Sequence, residues 1–138
     1  MTLHPTIRVR RRGGAVVELA IITPVLMMIL LGTIQGGYMF MVRQNVILAS
    51  RAGARAAALK NSTTSDVTTA VNAAMGAANL TGYTTTTNLG SLTNSDTTVN
   101  VTVSIPFSQV SFTGTYFGGG TFNIVSTSTM RREGLPGG

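Results

Sequence analysis

Residues 19–42 read LAIITPVLMMILLGTIQGGYMFMV, twenty-four positions without a formal charge. At the helical rise of about 1.5 Å per residue this run reaches roughly 36 Å, more than the ~30 Å hydrocarbon core of a bilayer. It reads as a membrane-spanning helix. Its flanks are basic: Arg8, Arg10, Arg11 and Arg12 precede it, and Arg43, Arg51, Arg55 and Lys60 follow. The tightest cluster is the N-terminal one, so the short leader is expected to stay cytoplasmic and to touch anionic headgroups. The net charge of +6 is therefore a topology signal. No aromatic residues interleave with the basic ones to stack bases, which argues against a nucleic-acid partner.

A secretory signal peptide has a basic start, an apolar stretch of about 7–15 residues and a small-residue cleavage site directly after it. Here the apolar run is too long, and Ala52-Gly53-Ala54 comes ten residues after Val42. The run is expected to remain as an anchor. Beyond it, RQNVILASRAGARAAALK (43–60) is rich in alanine and free of proline, so the helix is expected to continue from near Ala15 to near Lys60, loosened or kinked at Pro24. Gly32 and Gly36 form a G-x-x-x-G pair that admits a second helix at close range. Ala49, Gly53 and Ala57 recur every fourth residue and make a smooth stripe on the extramembrane part.

After Lys60 the composition turns to Thr, Ser, Asn and Gly. Ser62 or Ser65 is a candidate N-cap for a short second helix carrying Val67, Val71, Ala74 and Ala78 on one face and closed by Gly82. The segment TTTTNLGSLTNSD (84–96) reads as loop or weak strand. TTVNVTVSIPF (97–107) alternates cleanly, placing Val99, Val101, Val103 and Ile105 on one face of a half-buried strand that Pro106 ends or holds at an edge. SQVSFTGTYF (108–117), a Gly118–Gly120 turn and TFNIVSTSTM (121–130) supply further strands, the last with Phe122, Ile124 and Ser126 on one side. Only about 78 residues lie beyond Lys60, a marginal core on its own, so the sheet is expected to close on the small-residue stripe. The fold class is α+β. A leader (1–13) precedes a long helix (14–60, span about 19–42, extramembrane 43–60), a Thr-rich extracytoplasmic domain (61–130) with a three- to four-stranded antiparallel sheet, and a flexible tail (131–138).

Catalysis is not expected. The chain has one His, no Cys, and acids only at Glu18, Asp66, Asp96 and Glu133. Such scattered groups offer neither a catalytic cleft nor a metal site, and no cofactor is implied. Asn61, Asn79 and Asn100 each fit an N-x-S/T pattern, which in so Thr-rich a chain is also met by chance.

Glu18 stands alone at the mouth of the apolar run. Three readings are open: a favourable helix-dipole position in the first turn, an interfacial charge, or a partner for an amine created by cutting the chain at Gly13. In the third reading an amine from a neighbouring subunit would satisfy the acid only on assembly.

RRGGAVVELAIITPVL (11–26), continued by LLGTIQGGYMFMVRQNVILASRAGARAAAL (30–59), resembles the N-terminus of the TadE-like proteins, minor pilins or pseudopilins of tight-adherence (Flp-type) pili. TVNVTVSIPF and STSTMRRE are similar to that family's C-terminal part. The resemblance implies cleavage between Gly13 and Gly14 by a prepilin peptidase, with Glu18 as the fifth residue of the mature chain. It also implies partnership with other pilin subunits and the Tad assembly machinery, as a homo- or hetero-oligomer at the bacterial inner membrane. The spacing from Glu18 to Pro24 is similar to the family pattern E-F-A-L-V-L-P. The departures are Leu19 in place of an aromatic, Gln35-Gly36 where Glu-Phe is common, and Ala52 where a glutamate often lies between the two arginines. The alternatives are an uncleaved single-span anchor for a binding domain and a major rather than minor filament subunit.

Overall fold

The structure, a computed structural model, describes residues 12–93, 96–112 and 122–133. Two helices and three strands follow in the order α1 (Arg12–Ala58), α2 (Thr64–Ala77), β1 (Thr84–Thr87), β2 (Thr98–Pro106) and β3 (Asn123–Arg131). Short 3₁₀ turns cover Leu89–Ser91 and Phe107–Gln109. The chain divides into two compact units at Ile34/Gln35.

In the first unit, the described residues are all helical. Its apolar side chains are exposed all round, including Val16, Val17, Leu19, Ile21, Ile22, Val25 and Leu26. A helix apolar on every face has its counterpart in lipid or other helices, not water. Thr23 and Thr33 donate their hydroxyls to the carbonyls of Leu19 and Ile29 at 2.7 and 2.8 Å, so neither carries an unmet polar group into an apolar surrounding. The helix runs unbroken through Pro24.

The second unit is a helix layer on one face of an antiparallel sheet ordered β1-β2-β3. The strict alternation of β2 is decisive: Val99, Val101, Val103 and Ile105 are fully buried, while Thr98 and Asn100 point to water and Thr102 and Ser104 are half-buried. They meet Val42, Val46, Ala49, Ala54 and Ala57 of α1, and Val67, Val71 and Met75 of α2, in one core. Burying each such valine is worth about 1.5–3 kcal/mol. Gly53 marks the tightest approach, because a Cβ there would lie 2.7 Å from Val71 Cγ2 and 3.0 Å from Val101 Cγ1.

Local chemistry sets the joints. Asn61 takes a left-handed conformation (φ 62°) at the turn after α1, and Ser62 Oγ donates to the Ala57 carbonyl at 2.9 Å. The N-cap of α2 is Thr63, not Ser62 or Ser65. Asp66 three residues on accepts from the Thr63 amide at 2.8 Å while Thr63 Oγ1 accepts from the Asp66 amide, a reciprocal capping box. These bonds hold the Asp66 carboxyl below the usual carboxylate range, the backbone bond being the larger cause. The helix closes at Asn79 (φ 53°) rather than at Gly82, with the Leu80 amide donating to the Met75 carbonyl at 3.0 Å. Asparagine adopts this conformation readily. Gly82 (φ 73°) lies downstream, where a Cβ would strike the Gln109 side chain at 2.9 Å.

Two strand expectations change. The third strand is β1, from the stretch read as loop or weak strand, paired antiparallel with β2 from Thr84↔Ser104 to Thr87↔Val101. The candidate over 108–117 instead begins in the 3₁₀ turn, with Val110 in the core; 113–117 and Gly118–Gly120 lie outside the described residues. Nor do Arg131–Glu133 belong to a loose tail. Arg131 is the last residue of β3, the Arg132 amide donates to the Thr97 carbonyl at 2.9 Å, and the Glu133 amide donates to that of Ala58 at 2.8 Å.

Candidate functional site

The first turns of α1 hold the residues that sequence reasoning singled out. The described part of α1 starts at Arg12, and Gly13 and Gly14 are helical. A Cβ at either would meet nothing within 4 Å. Arg8, Arg10 and Arg11 lie outside the described residues.

Glu18 lies further along the same helix, exposed. Among the described residues none forms an ion pair or hydrogen bond with its side chain. Around its carboxylate lie exposed Val16, Val17, Leu19, Ile21 and Ile22, with no partner among the described residues.

The small residues divide into two sets. A Cβ at Gly32 or Gly36 would meet nothing within 4 Å, so among the described residues that close-approach face is open. Ala49, Gly53 and Ala57 are buried by the domain's own core and are closed to an incoming helix. Arg51, Arg55 and Lys60 are exposed. Among the described residues no group of three His, Cys, Asp or Glu is placed to hold a metal ion.

The match to a known family falls on this same segment. Residues 13–55 match the family of TadE-like proteins, just under a third of the chain. The N-terminal segment is TadE-like. The TadE-like match starts at Gly13 and takes in Glu18, the apolar run, Gly32 and Gly36, and Ala49 and Gly53 of the buried stripe. Among the described residues one helix, Gly13–Ala58, is long and apolar enough to cross a membrane. No curated protein and no solved structure shows significant similarity to the chain.

Three features escaped the sequence reading. The T-x-x-D spacing of Thr63 and Asp66 is a legible capping box. Ser50, fully buried, donates to or accepts from the Ser126 and Ser128 hydroxyls at 3.0 and 2.8 Å, and only the folded register brings these together. Gln35 clasps the loop after β2: its Nε2 donates to the Val110 carbonyl at 3.5 Å and its Oε1 accepts from the Phe112 amide at 3.0 Å.

Proposed function

We propose that this chain is a pilin-like structural subunit of a tight-adherence pilus. The leader and arginines stay on the cytoplasmic side of the bacterial inner membrane, α1 spans it, and the α+β domain lies outside. A prepilin peptidase cuts between Gly13 and Gly14. The new α-amine, with a pKa near 8, is mostly protonated at neutral pH and meets Glu18 of a neighbouring subunit, which sets the register of stacked helices. Shortening the chain to Gly14 also brings Glu18 toward the positive end of the helix. The protein is structural, not an enzyme.

The observation that carries this reading is Glu18 itself, an exposed acid with no partner among the described residues, on a helix that is apolar on every side. A charge there is costly in lipid or in a helix bundle unless it is paired. Gly32 and Gly36 offer the face on which a second helix can come close.

Glu18→Gln keeps size and shape but removes the charge. Expressed in cells that carry the Tad machinery, the variant is expected to insert at the wild-type level and to vanish from sheared surface pili. Incorporation equal to wild type would return Glu18 to an interfacial role and favour an uncleaved anchored domain.

A further inference from the structure

The chain carries five Phe and three Tyr, and five of these gather where the apolar run meets its first charge. Tyr38 and Phe40 stand on α1, two positions apart and therefore on opposite sides of the helix. Tyr38 packs on Phe112 with ring centroids 4.6 Å apart, and Phe107 stacks on Phe122 at the same separation. Packed though they are, Phe112 is 70% exposed, Phe40 65% and Phe122 47%. The Gln35 clasp holds Phe112 in place. Between α1 and the start of β3 lies a groove of about 450 Å³, lined by Gly36, Met39, Phe40, Arg43, Phe122 and Val125 among others. Arg43 is exposed, and among the described residues no carboxylate pairs with it.

An aromatic rim beside a cation at the end of an apolar run is the composition of a membrane–water interface. The groove is large enough for a small ligand, apolar along most of its wall and cationic at one end. The chain is poor in anions that could fill it: of its four acids, Asp66 and Asp96 are already bonded to Thr63 and Thr93. Every phospholipid, by contrast, offers a phosphate joined to hydrocarbon. Resting on the reading that α1 spans a bilayer, we propose that this collar seats the domain on the outer leaflet and that the groove holds one of its phospholipids. Arg43 binds the phosphate, and an acyl chain lies along Met39, Phe40, Phe122 and Val125.

The chain contains no Trp, so a single introduced one reports cleanly. Phe112→Trp and Phe122→Trp are placed in the full chain and reconstituted into phosphatidylcholine–phosphatidylglycerol vesicles with acyl chains brominated near the carbonyl end. Thr129→Trp, exposed on β3 about 13 Å along the strand from Val125, the nearest groove residue, serves as the domain control, and Leu26→Trp reports on the span. Both collar reporters are expected to lose most of their fluorescence while Thr129→Trp keeps its own. Unquenched collar reporters beside a quenched Leu26→Trp would overturn the proposal and leave the span standing. An unquenched Leu26→Trp would remove the spanning reading and the proposal with it. Collar quenching that fades as the protein-to-lipid ratio rises would put a second copy in the groove, also overturning it. Native mass spectrometry supplies the headgroup arm: wild type is expected to retain a phospholipid out of detergent, and Arg43→Gln to retain roughly five- to tenfold less. Equal retention would refute the role of Arg43.

Discussion

Gly53→Ala asks whether α1 is clamped by the rest of the domain. The added methyl would sit 2.7 Å from Val71 Cγ2, 3.0 Å from Val101 Cγ1 and 3.5 Å from Val67 Cγ1, where carbons pack at about 3.5–4.0 Å. Val71 is β-branched and helical, with one strongly preferred rotamer, and cannot swing aside. Val101 is fixed in the central strand between two partners. Overpacking of this kind costs about 1–3 kcal/mol. Helix propensity works the other way, since alanine replaces glycine at a gain of about 0.5–1 kcal/mol. The net expectation is a loss of about 0.5–2 kcal/mol. Gly76→Ala on α2, where a Cβ would meet nothing within 4 Å, carries the propensity gain alone and should be neutral to stabilising. Urea unfolding of the full chain in lipid nanodiscs, followed by tyrosine near-ultraviolet circular dichroism, measures both. A Gly53→Ala chain as stable as Gly76→Ala would show that α1 does not press on α2 and β2 here.

Ser50→Ala strands the Ser126 and Ser128 hydroxyls and is expected to cost about 1–3 kcal/mol, with faster hydrogen exchange concentrated in β3. The Asp66 carboxyl is held below its ordinary range by Thr63, so its contribution is full above the unfolded value of about 3.9 and is lost as pH falls through the lower folded value. An acid titration of domain stability should therefore be shallower in Asp66→Asn below about pH 4. Gly13→Leu places a bulky side chain at the proposed cut and is expected to leave the full-length chain in the membrane, read by immunoblot against wild type.

The legible parts of the fold were those with a period. A charge-free run of twenty-four residues and the four buried positions of β2 each carry their reading in the order of residues. Thr84–Thr87 carries none, because four identical residues show no alternation; pairing with β2 makes them a strand. The N-cap was misplaced by one or two residues because four hydroxyl residues, Ser62 to Ser65, compete, and the spacing to Asp66 decides among them. Arg132 and Glu133 looked loose beside the Gly- and Pro-rich end, yet backbone bonds to Thr97 and Ala58 tie them down. Of the site, Glu18 was visible as the lone acid. The aromatic collar was half visible, since Tyr38 and Phe40 adjoin Arg43 in sequence while Phe112 and Phe122 arrive only through the fold. What Glu18 meets is legible in neither, because its proposed partner belongs to another chain.

The state of the N-terminus bears most directly on the account. Intact-mass measurement and N-terminal sequencing of the protein, taken from membranes and sheared pili of cells with an active prepilin peptidase, read it out. A chain beginning at Gly14 is the predicted result. A chain that still begins at Met1 in both fractions would contradict it, leaving Glu18 without the amine it is proposed to meet.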